Sequence, residues 1–257
     1  MPITPAVNGA VFTVVIDNPG KLNALGLADW AELGRTMAAI SGNDAIRCVV
    51  VRGAGDRAFS AGADISEFPE TRANAGQAEK YGAVVARALK AIQECAQPTL
   101  AMINGVCTGG GVEIACSCDI RIAARSARFG VPINRLGHAF AYAEMAPVVA
   151  AIGPALVLEL LLEGRIMESA EAERRGLVSR VVDDGLLEAE VAAAAGRITA
   201  GAPLANRATK RFLRRLADPR PLTAEETAEA YALCDSADYA EGLAAFLAKR
   251  PPKFEGR

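Results

Sequence analysis

The chain has 257 residues, of which 51% are apolar and 23% charged, and its net charge is −2. That balance excludes a disordered chain and gives no electrostatic basis for nucleic acid as a main partner. The length suits one large α/β domain or a domain with a small appendage, burying about three quarters of its unfolded surface.

The start reads as strand–turn–strand: AVFTVVIDN is an apolar, β-branched run ending in NPGK, a turn with Pro19 and Gly20. LADWAELGRTMAAISG has helical spacing, with Leu27, Trp30, Leu33, Met37 and Ile40 on one side and Gly42 closing it. IRCVVVRG is a nearly continuous apolar strand of the kind covered on both faces. The polar loop AGDRAFSAGADISEF leads to the helix AEKYGAVVARALKAIQEC, broken by Pro98. TLAMINGVCTGGG is again a strand and a glycine turn, VEIACSCD begins another helix, and IRIAARSARFGVP reads as one or two short strands. Recurring strand–helix units through roughly residue 135 argue for an α/β core.

From AYAEMAPVVAAIG onward the chain is almost entirely helical. The longest apolar stretch, AEMAPVVAAIGPALVLELLL, is interrupted by Glu144, Pro147, Gly153, Pro154 and Glu159, which predicts a buried helix pair, with no membrane span. SAEAERRGLV is a short helix with Ser169 as N-cap and Gly176 at its end. In the basic run RATKRFLRR, Phe212, Leu213 and Leu216 suggest one buried face opposite a solvated basic face. Met102, Met145 and Met167 read as core. A composition shift near residues 195–200 divides a core, 1–195, from a C-terminal helical region, 196–257.

Six cysteines lack paired spacing, and Cys116-Ser117-Cys118 has only one histidine in the chain to join it, so no metal site is expected. Reduced, buried thiols fit a cytoplasmic protein, as does an N-terminus without a basic segment ahead of an apolar run.

Two glycine loops carry the chemistry. Gly53-x-Gly55-x-x-Ala58 superficially fits a dinucleotide fingerprint but runs into more loop instead of a helix, and CTGGGVE lacks the ending of a phosphate-cradling loop. SAGAD and TGGG each follow an apolar strand and are built of residues too small to block approach to the backbone. Side by side, such loops can aim two amide N–H groups at one oxygen, an oxyanion hole, with the carboxylate of Glu113 beside them.

The residues NPGKLNAL, RAFSAGADI, INGVCTGGGVEIACSCDIRIAA, ARFGVP, LLLEGRIMESAEAERRGLVSRVV and GLAAFLAKRPPKF occur in the order and spacing of the crotonase family, the enoyl-CoA hydratase/isomerase superfamily, which the chain resembles almost end to end. The resemblance implies an α/β fold, a crotonase-like spiral of β-β-α units with a C-terminal helical region that shapes the acyl pocket and subunit contacts. It implies an acyl-CoA thioester as substrate, coenzyme A being part of that substrate with no separate cofactor, and a homotrimer or dimer of trimers. By motif position, the amides of Ala63 and Gly110 would hold the thioester oxygen and Glu113 would be the acid/base. CoA would lie along Lys21, Leu22 and Ala24 and along Ala61, Asp64 and Ile65. Val106, Gly109, Pro132, Ile133 and Leu136 would line the site, and Phe246 and Lys249 would reach CoA, that of a neighbouring subunit included.

One position departs from the family. Hydratases usually carry a second glutamate just after the proline of FG-x-P, where this chain has Ile133, which cannot move a proton. His138 and Glu144 are the candidates to replace it. The ordinary reading of His138 is structural, and that of Glu144 an exposed glutamate in the first turn of a helix. Asn134 and Arg135 are candidates for a polar acyl group. The leading expectation is a hydratase or isomerase working through a stabilised enolate. The alternatives are other crotonase-type chemistry (lyase, decarboxylase or ring-substrate hydratase) and an acyl-CoA-binding protein without turnover.

Overall fold

A computed structural model describes residues 3–257. In chain order the elements are β1 (Ile3–Asn8), β2 (Val11–Ile16), α1 (Leu27–Ser41), β3 (Cys48–Gly53), β4 (Ala58–Ser60), α2 (Phe68–Thr71), α3 (Ala75–Glu94), β5 (Thr99–Ile103), β6 (Val106–Thr108) and α4 (Gly110–Ser117). They continue with β7 (Ile120–Ala124), β8 (Arg128–Gly130), α5 (Tyr142–Glu163), β9 (Met167–Glu168), α6 (Ser169–Arg174), β10 (Arg180–Val182), α7 (Leu187–Ala200), α8 (Pro203–Leu216), α9 (Ala224–Ala232) and α10 (Ala237–Leu247).

The strands alternate between two sheets. One has the order β1-β2-β3-β5-β7-β10 and the other β4-β6-β8-β9. Each turn of the chain lays a strand in the larger sheet, then one in the smaller, then a helix: β3-β4-α2/α3, β5-β6-α4, β7-β8-α5. This is the expected spiral of β-β-α units. Pairing is parallel except for β1 with β2 and β8 with β9. The buried, β-branched run Val49–Val51 is what a strand covered on both faces requires. On one face lies the main core, with Trp30, Leu33, Phe59, Leu89 and Phe129. On the other, Leu187, Val191 and Ala195 of α7 pack on Val50, Leu100 and Ile122. Residues 195 and 196 thus fall inside α7.

Several local expectations need correction. The first two strands turn at Gly9–Ala10, and the Pro19–Lys21 segment is a 3-10 turn leading into α1. The N-cap of α6 is Glu168; the hydroxyl of Ser169, one residue inside, donates to the carbonyl of Arg125 at 2.7 Å. Helix α5 is a pair joined at Gly153 (φ 74°, ψ 161°), but it is buried only on one side, with Leu158 and Leu162 exposed. By length and composition alone it would pass as a membrane span.

Helix α8 departs from its expected orientation at three positions, while Phe212 is partly buried and Arg211 and Arg214 are exposed as expected. Leu213 and Leu216 are each 65% exposed, while Lys210 is buried. The reason is partner chemistry: the Lys210 ammonium lies 2.7 Å from Asp119 and donates to the carbonyl of Gln97 at 3.2 Å. Asp119 also accepts the amide and hydroxyl of Thr99, at 2.7 and 2.9 Å, so one carboxylate ties α8 to the start of β5. Asp119→Ala should cost about 2–3 kcal/mol, somewhat less than for a fully buried pair, because it strands a buried ammonium while the aspartate itself is partly solvated. The midpoint of urea unfolding checks this, and an unchanged midpoint would deny the pair a structural role.

Of the six cysteines, Cys48, Cys95, Cys107, Cys116 and Cys118 are buried free thiols and Cys234 is exposed. Burial pushes Cys48 and Cys118 up to about 12 and Cys116 to about 11, and it raises Cys95 and Cys107 as well.

Candidate active site

The smaller sheet builds the site. Its parallel strands β4, β6 and β8 are in register through Ser60 with Cys107 and Thr108 with Gly130. The residues that follow each strand, Ala61–Asp64, Gly109–Gly110 and Val131–Ile133, therefore emerge side by side at one edge. Three segments distant in sequence meet there because the spiral brings the same strand end round at every turn.

The two small-residue loops touch. A side-chain carbon at Gly62 (φ +91°) would fall 2.5 Å from the amide nitrogen of Gly110, and one at Gly110 would fall 2.7 Å from the Trp30 ring. The Ala61–Asp64 segment is strung along the preceding loop: the Ala61 amide donates to Leu22, Leu25 to Gly62, and Asp64 to Leu25, at 2.8–2.9 Å. The amide of Ala63 between them donates to no backbone carbonyl among the described residues, nor does that of Gly110 at the first position of α4. Two N–H groups of residues that line the cavity are thus without a backbone partner.

Beneath these loops is a cavity of about 210 Å³. Of the residues expected at the site, Ala61, Ala63, Ile65, Gly109, Gly110, Glu113, Pro132, Ile133, Leu136, His138 and Glu144 line it. The others lie elsewhere. Lys21 is bonded to Asp64 at 2.6 Å and to Ser66 at 2.9 Å, a clamp that holds the Asp64 carboxyl below its ordinary range. Leu22 and Ala24 belong to the loop behind it, where buried Asn23 donates to Ala54 and Ala58. Val106 opens β6 outside the lining. Phe246, 81% exposed, sits in a separate apolar groove with Leu243 and Phe254, and Lys249 follows α10 in a left-handed conformation. Asn134 and Arg135 turn away, donating to the carbonyls of Leu162 and Gly164 at 2.9 and 3.1 Å.

Glu113 stands in the first turn of α4 and is 5% exposed. Its Oε2 has no hydrogen-bond partner. Burial pushes its carboxyl well above the usual range, and the neighbouring Glu144 adds to the rise; Arg72 opposes it. Glu144, expected to be exposed, is only 4% so, and its Oε2 accepts the amide of Ala141 at 3.2 Å, capping its own helix. Its burial follows from α5 packing against α3 and α4, which turns its first helical turn inward. His138 is half-buried, its Nδ1 2.7 Å from the carbonyl of Ala139, and burial together with Arg72 lowers its pKa. The cavity therefore holds two carboxyl groups, a histidine biased to its neutral form and two unbonded amides.

The cavity also has walls unforeseen from sequence: Trp30, Phe68, Arg72, Tyr81, Val85 and Phe140. Trp30 has a place in the apolar stripe of α1, which reads as core. No local pattern marks Arg72 or Tyr81.

The chain matches the enoyl-CoA hydratase/isomerase family over residues 6–257. It is 33% identical to the crotonyl-CoA hydratase of Syntrophomonas wolfei over 243 residues, 93% of this chain and 92% of that protein. It is 34% identical to the short-chain-enoyl-CoA hydratase of Clostridium acetobutylicum over 251 residues, 96% of this chain and 94% of that one. Among solved structures, an enoyl-CoA hydratase/carnithine racemase from Magnetospirillum magneticum superposes with a TM-score of 0.98 at 50% identity, covering 100% of this chain and 96% of that one.

Proposed function

The chain belongs to the enoyl-CoA hydratase/isomerase family and is an enzyme acting on an acyl-CoA thioester, and from that premise we propose that it adds water to a short 2-enoyl-CoA. The observation that carries this reading is the second carboxyl group. Glu144 shares the cavity with Glu113, so the proton-handling partner missing at Ile133 comes from a different element. An isomerase needs one group to take and return a proton. Hydration is served better by two, because one proton leaves water while another arrives at carbon.

In this reading the thioester oxygen lies between the amides of Ala63 and Gly110. Their N–H groups stabilise the enolate as it forms, each contributing about 3–4 kcal/mol in comparable sites. The water oxygen bonds to the β carbon and gives up a proton to one carboxylate. The α carbon takes a proton from the other carboxyl, and the pair shares the remaining proton for the next cycle. CoA runs along the Lys21–Ala24 and Ala61–Ile65 loops. Exposed Leu213, Leu216, Leu243, Phe246 and Leu247 support a homotrimer or dimer of trimers, in which Phe246 and Lys249 reach the CoA of a neighbour.

The test is crotonyl-CoA in heavy-oxygen water, followed by mass spectrometry. Label is expected in a 3-hydroxyacyl product. Double-bond migration without label would sink the hydration reading in favour of isomerisation.

The shared proton also sets a pH dependence. With Glu113 held well above the ordinary carboxyl range, kcat/KM should fall on the alkaline side as the pair loses its last proton. A flat alkaline limb for crotonyl-CoA would place that proton on another group.

A further inference from the structure

One cation in the cavity has no bonded partner. Arg72 follows α2 with its guanidinium carbon 4.8 Å from the centre of the Phe68 ring and 5.0 Å from that of Tyr81. The two rings meet edge to face at 5.9 Å. Stacking of this kind fixes the plane of the guanidinium and leaves its N–H fork free. Among the described residues, every other half-buried arginine has an acid or a carbonyl to bond to. Arg72 has none, and it lines the cavity that holds Glu113.

Trp30 and Tyr81 line the same cavity, but their indole nitrogen and hydroxyl oxygen are buried beside each other. A hydrocarbon acyl chain would leave the Arg72 guanidinium unmet, and an unmet donor costs free energy. Glu113 and Glu144 supply negative charge nearby, but neither forms an ion pair with Arg72.

We propose that the acyl group of the substrate carries a second, anionic group, a carboxylate, held by the guanidinium fork of Arg72. This rests on the acyl-CoA reading above and names its substrate class. The fork of an arginine matches the two oxygens of a carboxylate and stays charged at every working pH. A cavity of about 210 Å³ has room for a short dicarboxylic acyl chain. Without Arg72, such a chain would meet only the two carboxyl groups.

Glutaryl-CoA and pentanoyl-CoA test this by calorimetry. They have equal chain length, differ by the carboxylate, and have no double bond to react. The wild type should bind glutaryl-CoA roughly 10- to 100-fold more tightly. Arg72→Gln should erase that preference and leave pentanoyl-CoA binding unchanged. Arg72→Lys, which keeps the charge and loses the fork, should bind with an intermediate preference. Equal wild-type affinities would overturn the proposal. So would equal weakening of both ligands in Arg72→Gln, because the guanidinium would then serve the CoA phosphates. Turnover is read separately, with glutaconyl-CoA against pent-2-enoyl-CoA. A protein that binds glutaryl-CoA selectively and hydrates neither enoyl ester keeps the carboxylate site and loses the hydration reading.

Discussion

Glu113→Gln is expected to lower kcat on crotonyl-CoA by about a thousandfold while leaving the folded protein at least as stable. The two effects share one cause. Glu113 is buried with one oxygen unbonded, and burial raises its pKa well above the usual value. A group placed like this serves proton transfer and weakens the fold whenever it is ionised. Glutamine has the same shape and cannot titrate. Between the unfolded pKa and the raised folded one, the native state holds more protons, so wild-type stability falls as pH climbs through that window. The stability gap in favour of Glu113→Gln should therefore open above the ordinary carboxyl range and close below it. Single-turnover rates and urea unfolding at several pH values measure both halves. Wild-type turnover in the variant would remove Glu113 from the mechanism, and a gap constant with pH would mean that its ionisation is not what strains the fold.

Gly62→Ala should cost about 3 kcal/mol of stability and nearly all activity. Gly62 sits at φ +91°, where a side chain alone costs about 1–3 kcal/mol. The new methyl group would also fall 2.5 Å from the amide nitrogen of Gly110 and 2.9 Å from the carbonyl oxygen of Thr108. Both are backbone atoms, so no side chain can rotate aside, and relief requires the two loops to part. Parting them separates the amides of Ala63 and Gly110. The check is urea unfolding together with the affinity for a non-reacting acyl-CoA. A stable variant with wild-type activity would show that the loops need not approach so closely.

The site was legible in the sequence wherever its parts are local. The glycine loops and Glu113, which line one cavity, stand out because the small residues and the acid are written within a few positions, whereas Ala63 was singled out by the family resemblance. Glu144 was not legible in this way. Its sequence context is an ordinary helix start, and its burial comes from α5 packing against α3 and α4. Arg72 and Tyr81 gain meaning only from each other and from Phe68, across the break between α2 and α3. Helix α8 misleads for a related reason. Its amphipathic pattern is real, but the core offers Asp119 and the Gln97 carbonyl, which draw in Lys210, and among the described residues no element covers Leu213 and Leu216.

The buried thiols give the scaffold a chemical property of its own. An α,β-unsaturated thioester is an electrophile that alkylates thiolates, and only the ionised sulfur reacts quickly. Cys107 precedes the cavity-lining Thr108 on β6 but is itself packed in the core, and Cys116 and Cys118 lie at the far end of the helix that carries Glu113. Burial keeps all three protonated at neutral pH. The core thiols are thus shielded from electrophiles, and Cys234, outside the core, is where an electrophile from solution would first attach.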